Sequence, residues 1–112
     1  MYSSGRRIKE FENRLDKEGT ALNVRLEFDA NRKLAKFSLN LTAMAGGKIF
    51  EIARYDCGHG YLHMHRFYRK PPTREIVHME ISVQTTRVLR QEILGNWKSW
   101  KRAFLENYGV MG

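Results

Sequence analysis

The chain has 112 residues, enough for one hydrophobic core and too few for two. With 42% apolar and 12% aromatic residues, a single folded domain spanning 1–112 is expected. Twenty Lys and Arg against 12 Asp and Glu leave a net charge of +8, which favours a polyanionic partner such as RNA or DNA, an acidic protein or anionic lipid. No apolar run approaches the roughly 18 residues of a membrane span, Arg6, Arg7, Glu10, Glu12 and Asp16 stand where a secretory core would be, and the lone Cys57 has no intrachain disulfide partner, so a cytoplasmic protein without membrane contact is expected.

Ile8, Phe11 and Leu15 recur at spacings of three and four among charged residues, with Ser3 or Ser4 as N-cap, and predict a short amphipathic helix ending near Gly19. From Leu22 to Phe28 the pattern turns to strict alternation, as it does again over Phe37, Leu39, Leu41 and Ala43. The polar stretch from Asp29 to Arg32 makes the two runs a hairpin. Gly46-Gly47 can supply the positive φ angles of a two-residue turn leading into a third strand, Lys48 to Tyr55. Gly58 and Gly60 then bracket a connection to a fourth strand, Tyr61 to Tyr68, closed by Pro71-Pro72, and Val77, Met79, Ile81 and Val83 alternate as a fifth. Finally Leu89, Ile93, Trp97, Trp100, Phe104 and Tyr108 form one apolar stripe of a long helix from about Thr85, with Gly95 as a point of kink or break. The expectation is an α+β domain: an antiparallel meander of about five strands, an N-terminal helix, and a long C-terminal helix packed on the sheet.

The chemistry concentrates between Arg54 and Arg74. His59, His63 and His65, three of the four histidines, stand there with Asp56 and Cys57, and imidazole is the side chain that donates, accepts or ligates near neutral pH. On a strand, His63, His65 and Phe67 share one face while Leu62, Met64, Arg66 and Tyr68 share the other. Three readings follow. Two histidines of differing pKa can cleave RNA, one taking the 2′-hydroxyl proton and the other protonating the leaving 5′-oxygen, with Arg54 or Arg66 steadying the phosphate and Asp56 orienting an imidazole. The same His59, His63 and His65 with Asp56 or Cys57 could instead hold zinc or another divalent transition metal, although their spacing fits no standard zinc signature. Or the histidines are ordinary strand residues. Beside them, Arg66, Tyr68, Arg69, Lys70 and Arg74 interleave cations and aromatic rings as a nucleic-acid contact would. There is no P-loop, no dinucleotide fingerprint, no His-Glu-x-x-His and no Gly-x-Ser-x-Gly, which argues against nucleotide-driven and serine-hydrolase chemistry.

The pattern Arg54-Tyr55-Asp56, then His59, then His63-x-His65 resembles the small prokaryotic TumE-type toxins of toxin-antitoxin modules, with Cys57-Gly58 where that family carries Asn and a small residue. The resemblance covers about a tenth of the chain. It implies that Arg54, Asp56, His59, His63 and His65 form the functional set, that RNA is the target and that an antitoxin protein is a partner. The leading expectation is therefore a small basic RNA-directed protein, a toxin-like ribonuclease needing no metal or other cofactor. The rivals are a non-catalytic module that binds nucleic acid or an acidic protein, and a metal-binding protein built on the same histidines.

Overall fold

A computed structural model describes residues 6–58 and 60–109. His59 and the expected N-cap at Ser3 or Ser4 lie outside the described residues. The architecture is α+β: six antiparallel strands in sequence order, β1 (Arg7–Arg14), β2 (Ala21–Phe28), β3 (Leu34–Ala45), β4 (Lys48–Asp56), β5 (His63–Arg66) and β6 (Thr73–Ile76), followed by one helix, α1 (Val83–Tyr108).

Alternation builds the core. On the covered face of the sheet Leu22 and Val24 of β2, Phe37, Leu39 and Leu41 of β3, Tyr55 of β4 and Met64 of β5 are each no more than 3% exposed. Helix α1 lies against β3 and β4 and buries Leu89, Ile93 and Phe104 there, with Trp97, Trp100 and Tyr108 packed at the margin. Burying each large apolar side chain contributes about 1.5–3 kcal/mol, so this face carries most of the stability. Ser82 caps the helix by accepting from the Thr85 N–H, and Gly109, with φ 62°, ends it by donating to the Leu105 carbonyl.

The expected N-terminal helix is instead β1, paired with β2 from Arg7↔Phe28 to Arg14↔Ala21. As an outermost strand it has little to bury: Ile8 is 47% and Phe11 43% exposed, and charged residues occupy both faces, the pattern that guards a sheet edge. Ladder hydrogen bonds to β2 fix it, and apolar spacing does not report those. Its turn to β2 is held by Asp16, whose Oδ1 accepts from the N–H groups of Glu18 and Thr20, and by Gly19 at φ 96°, where an added Cβ would meet the Cβ of Met44 at 2.9 Å.

The expected fifth strand is also corrected. Val77 to Ser82 is a connection, and the last strand is the earlier Thr73–Ile76. Val77 and Ile81 pack against the core while Met79 stays 38% exposed, so residues anchoring a crossing loop imitate alternation. The helix runs through Gly95 without a break. Gly46 and Gly47, with φ of 58° and 78°, form the two-residue β3–β4 turn as the sequence predicts.

Candidate functional site

The face of the sheet turned away from α1 carries charged and polar residues with Ile8, Met44, Ile49 and Ile76 exposed among them, and the chemistry gathers on its β4–β5–β6 half. Register sets the neighbours: Arg54 lies opposite His65, Asp56 opposite His63, and beyond them Arg74 and Ile76 of β6 oppose His65 and His63. A bulge completes the set. Thr42 pairs with Glu51 but Leu41 with Ala53, so Ile52 is an extra residue, and Glu51 is brought to the same face as Arg54 despite an odd separation.

These side chains form one array. Arg54 donates from Nε to Asp56 Oδ2 at 2.7 Å and from Nη1 to Glu51 Oε1, which also accepts from Asn40 Nδ2 at 3.1 Å. Asp56 Oδ2 lies 3.3 Å from His65 Nε2, and its Oδ1 accepts from the Gly58 N–H at 3.4 Å. The His65 ring stacks on Phe67 at 5.5 Å and 10°, and the Arg54 guanidinium lies 5.4 Å from the Phe67 centroid. His63 is 4% exposed, between the rings of Tyr61 at 4.4 Å and His65 at 6.0 Å.

Electrostatics separates the roles. Burial works to raise the Asp56 carboxyl, but the Arg54 hydrogen bond, the Gly58 N–H and the nearby charges outweigh it and hold it below the ordinary carboxylate value. Burial lowers His65, and the charges of Arg54, His63 and Arg74 lower it further against the pull of Asp56, which favours the neutral imidazole at pH 7. The 3.3 Å contact is thus one between a carboxylate and a neutral ring. Asp56 acts on the ring through its charge, while the stack on Phe67 fixes the ring plane. Beside Asp56, Arg25, Ser38 and Gly58 help line a depression of about 170 Å³, smaller than an ordinary small-molecule pocket.

The structure brings together Arg54, Asp56, His63 and His65 on one face, with Arg74 near them. It separates Arg66, which projects to the covered side and pairs with Glu75, so Arg66 is not placed to steady a phosphate at the histidines. Tyr68 stacks on Trp100 at 5.3 Å and 9°, a packing role, and the Arg69 carbonyl accepts from Tyr108 OH at 2.6 Å while Lys70 Nζ lies 5.7 Å from the Tyr108 centroid. The basic-aromatic run is therefore divided between the end of the helix and the open face. Cys57 also faces inward, its buried Sγ 3.0 Å from the Phe37 N and 3.3 Å from the Phe37 O, which removes it as a ligand beside Asp56. Among the described residues no group of three or more His, Cys, Asp and Glu could hold a metal ion. Sequence reasoning missed Glu51 and Asn40, because only the bulge aligns Glu51 with Arg54, and it gave Tyr61 and Phe67 no role although it put Phe67 on the face of His63 and His65.

A family model described as a domain of unknown function, DUF7718, matches residues 6–110. No curated protein and no solved structure matches the chain.

Proposed function

We propose that this chain, which belongs to the DUF7718 family, acts on RNA as a metal-independent ribonuclease of the toxin-like kind that its resemblance implies. The observation that carries the reading is His65, shifted toward its neutral form, 3.3 Å from an ionised Asp56 and stacked on Phe67 on the open face. A neutral imidazole is the form a general base needs. In this mechanism the unprotonated ring nitrogen of His65 takes the 2′-hydroxyl proton, the 2′-oxygen attacks the adjacent phosphorus, and the bond to the 5′-oxygen breaks, leaving a 2′,3′-cyclic phosphate. Arg74, opposite His65, offsets charge on the phosphorane. His63 is too enclosed to meet the leaving oxygen, which takes its proton from solvent; His63 instead holds the ring row of Tyr61, His65 and Phe67 in place.

The test is cleavage of a labelled mixed-sequence RNA in excess EDTA by the wild type and by His65→Ala. Cyclic phosphate ends produced by the wild type alone are expected, and equal cleavage by the variant overturns the mechanism. One observation favours a second reading: Arg54 is engaged by both Glu51 and Asp56, as in a rigid structural network. In that reading the face binds RNA without turnover, and affinity falls as salt rises with no product formed.

A further inference from the structure

Strand β4 begins at Lys48, but its ladder with β5 starts only at Ala53, and after β5 ends at Arg66 one further hydrogen bond, from the Tyr68 N–H to the Ile52 carbonyl, joins the chain to it. Before Ile52, β4 pairs with β3 but not on its β5 side, which leaves a recess of about 480 Å³ under the last turns of α1, lined by Phe50, Glu51, Phe67, Pro72, Phe104 and Tyr108. Its floor is aromatic: Phe50 and Phe104 are 5.6 Å apart at 49°, and Phe104 and Tyr108 5.0 Å apart at 37°. One wall carries a single carboxylate. Glu51 Oε1 is taken by Arg54 and Asn40, whereas Oε2 accepts no hydrogen bond among the described residues. Lys70 stands at the rim, its Nζ 5.7 Å from the Tyr108 centroid. Phe67 joins the recess to the site, since the ring that lines it also stacks on His65.

The geometry points to a base-binding subsite: the recess takes one unpaired RNA base that carries an exocyclic amine, stacked on its rings, with the amine donating to Glu51 Oε2 and Lys70 meeting the flanking phosphate. Planar apolar walls suit the π-face of a base, a lone acceptor suits an amine donor, and a rim cation suits a phosphate. Uracil fits worse, because the two carbonyls flanking its N3–H face the carboxylate. A cationic guest from another protein is disfavoured, because the chain is at +8 and its own Lys70 and Arg54 already lie over Tyr108 and Phe67. The subsite rests on the RNA-directed reading above and adds to it a preference among bases.

The experiment uses labelled 2′-O-methyl hexamers, which cannot be cleaved through the 2′-oxygen: A6, C6, U6 and an abasic hexamer, with affinity read by fluorescence anisotropy in EDTA. A6 and C6 are expected to bind about tenfold tighter than the abasic hexamer, with U6 between. In Tyr108→Leu the ratio of A6 to abasic affinity falls toward one, and in Glu51→Gln the gap between C6 and U6 closes. Far-ultraviolet circular dichroism confirms that each variant is folded, and Phe50→Leu, tested alongside, serves if Tyr108→Leu is not. Equal binding of A6 and abasic hexamers, absence of binding by all, or a base preference untouched by the folded variants overturns the subsite. Base-dependent binding by a protein that cleaves no RNA keeps the subsite and removes the proton-transfer mechanism.

Discussion

One sheet presents two unlike faces. Under α1 it is closed, and Leu22, Leu41, Ile52, Met64 and Ile93 lose all contact with solvent. On the opposite side Arg25, Lys36, Arg54 and Arg74 alternate in register with Glu10, Glu12, Glu27, Glu51 and Asp56, so the two signs nearly balance. The excess of positive charge therefore lies on the turns, the edges and the outer surface of the helix, which exposes Arg87, Lys98 and Arg102. Net charge and site are therefore separate matters. The covered face holds the molecule together by area. The open face is made of paired groups whose worth for stability is small and whose value is the position in which they hold His65.

The contrast breaks most visibly in the closed face. Leu41→Ala removes a side chain with no exposed surface from the strand that α1 crosses, and a loss of about 2–5 kcal/mol in unfolding free energy is expected from urea denaturation. Asn40→Ala, one residue away but on the open face, should cost no more than about a third of that, since it forfeits one hydrogen bond to Glu51. Equal losses at the two positions would dissolve the distinction between the faces.

What the sequence made legible follows the same division. Strands β2, β3 and β4 and the helix were readable because each buries one face, and burial writes its period into the chain. Strand β1 was not: an edge strand exposing Ile8 and Phe11 carries no strand period, and the spacing of Ile8, Phe11 and Leu15 reads as a helix instead. The run from Val77 misled for the opposite reason: a crossing loop anchored at Val77 and Ile81 borrowed a strand's period. In the site, the period of two put His63 and His65 together and already set Arg66 on the far face, where it meets Glu75. The Glu51–Arg54 pair was invisible because a bulge breaks that period at Ile52.

The junction between sheet and helix gives a smaller, pH-dependent effect. Tyr55 OH donates to Glu92 of α1, and burial together with that carboxylate pushes the phenol well above its usual value. A raised pKa means that the folded state keeps the proton longer than the unfolded chain, whose tyrosines ionise near about 10. This contribution is full below that pH and is lost as pH rises through the folded value. Tyr55→Phe should cost about 1 kcal/mol at pH 7 and flatten the decline in stability above about pH 10. An alkaline decline identical to wild type would show that the hydroxyl does not couple the two layers.

The finest test lies within the open face. Burial and Arg54 lower the His65 pKa while Asp56 raises it, so Asp56→Asn should move His65 further below 6.5 in an imidazole titration followed by NMR. Stability carries the same sign. A depressed histidine contributes above its unfolded value near 6.5 and loses that contribution as pH falls through the folded value, so the variant should lose more stability as pH falls below about 6.5. The contribution of Asp56 itself is present above its ordinary 3.8 and lost below it, so the variant also lacks this separate acid limb. A His65 that titrates higher in Asp56→Asn would mean that the carboxylate's charge does not act on the ring. The two faces would then differ in polarity alone, without the tuned imidazole on which proton transfer depends.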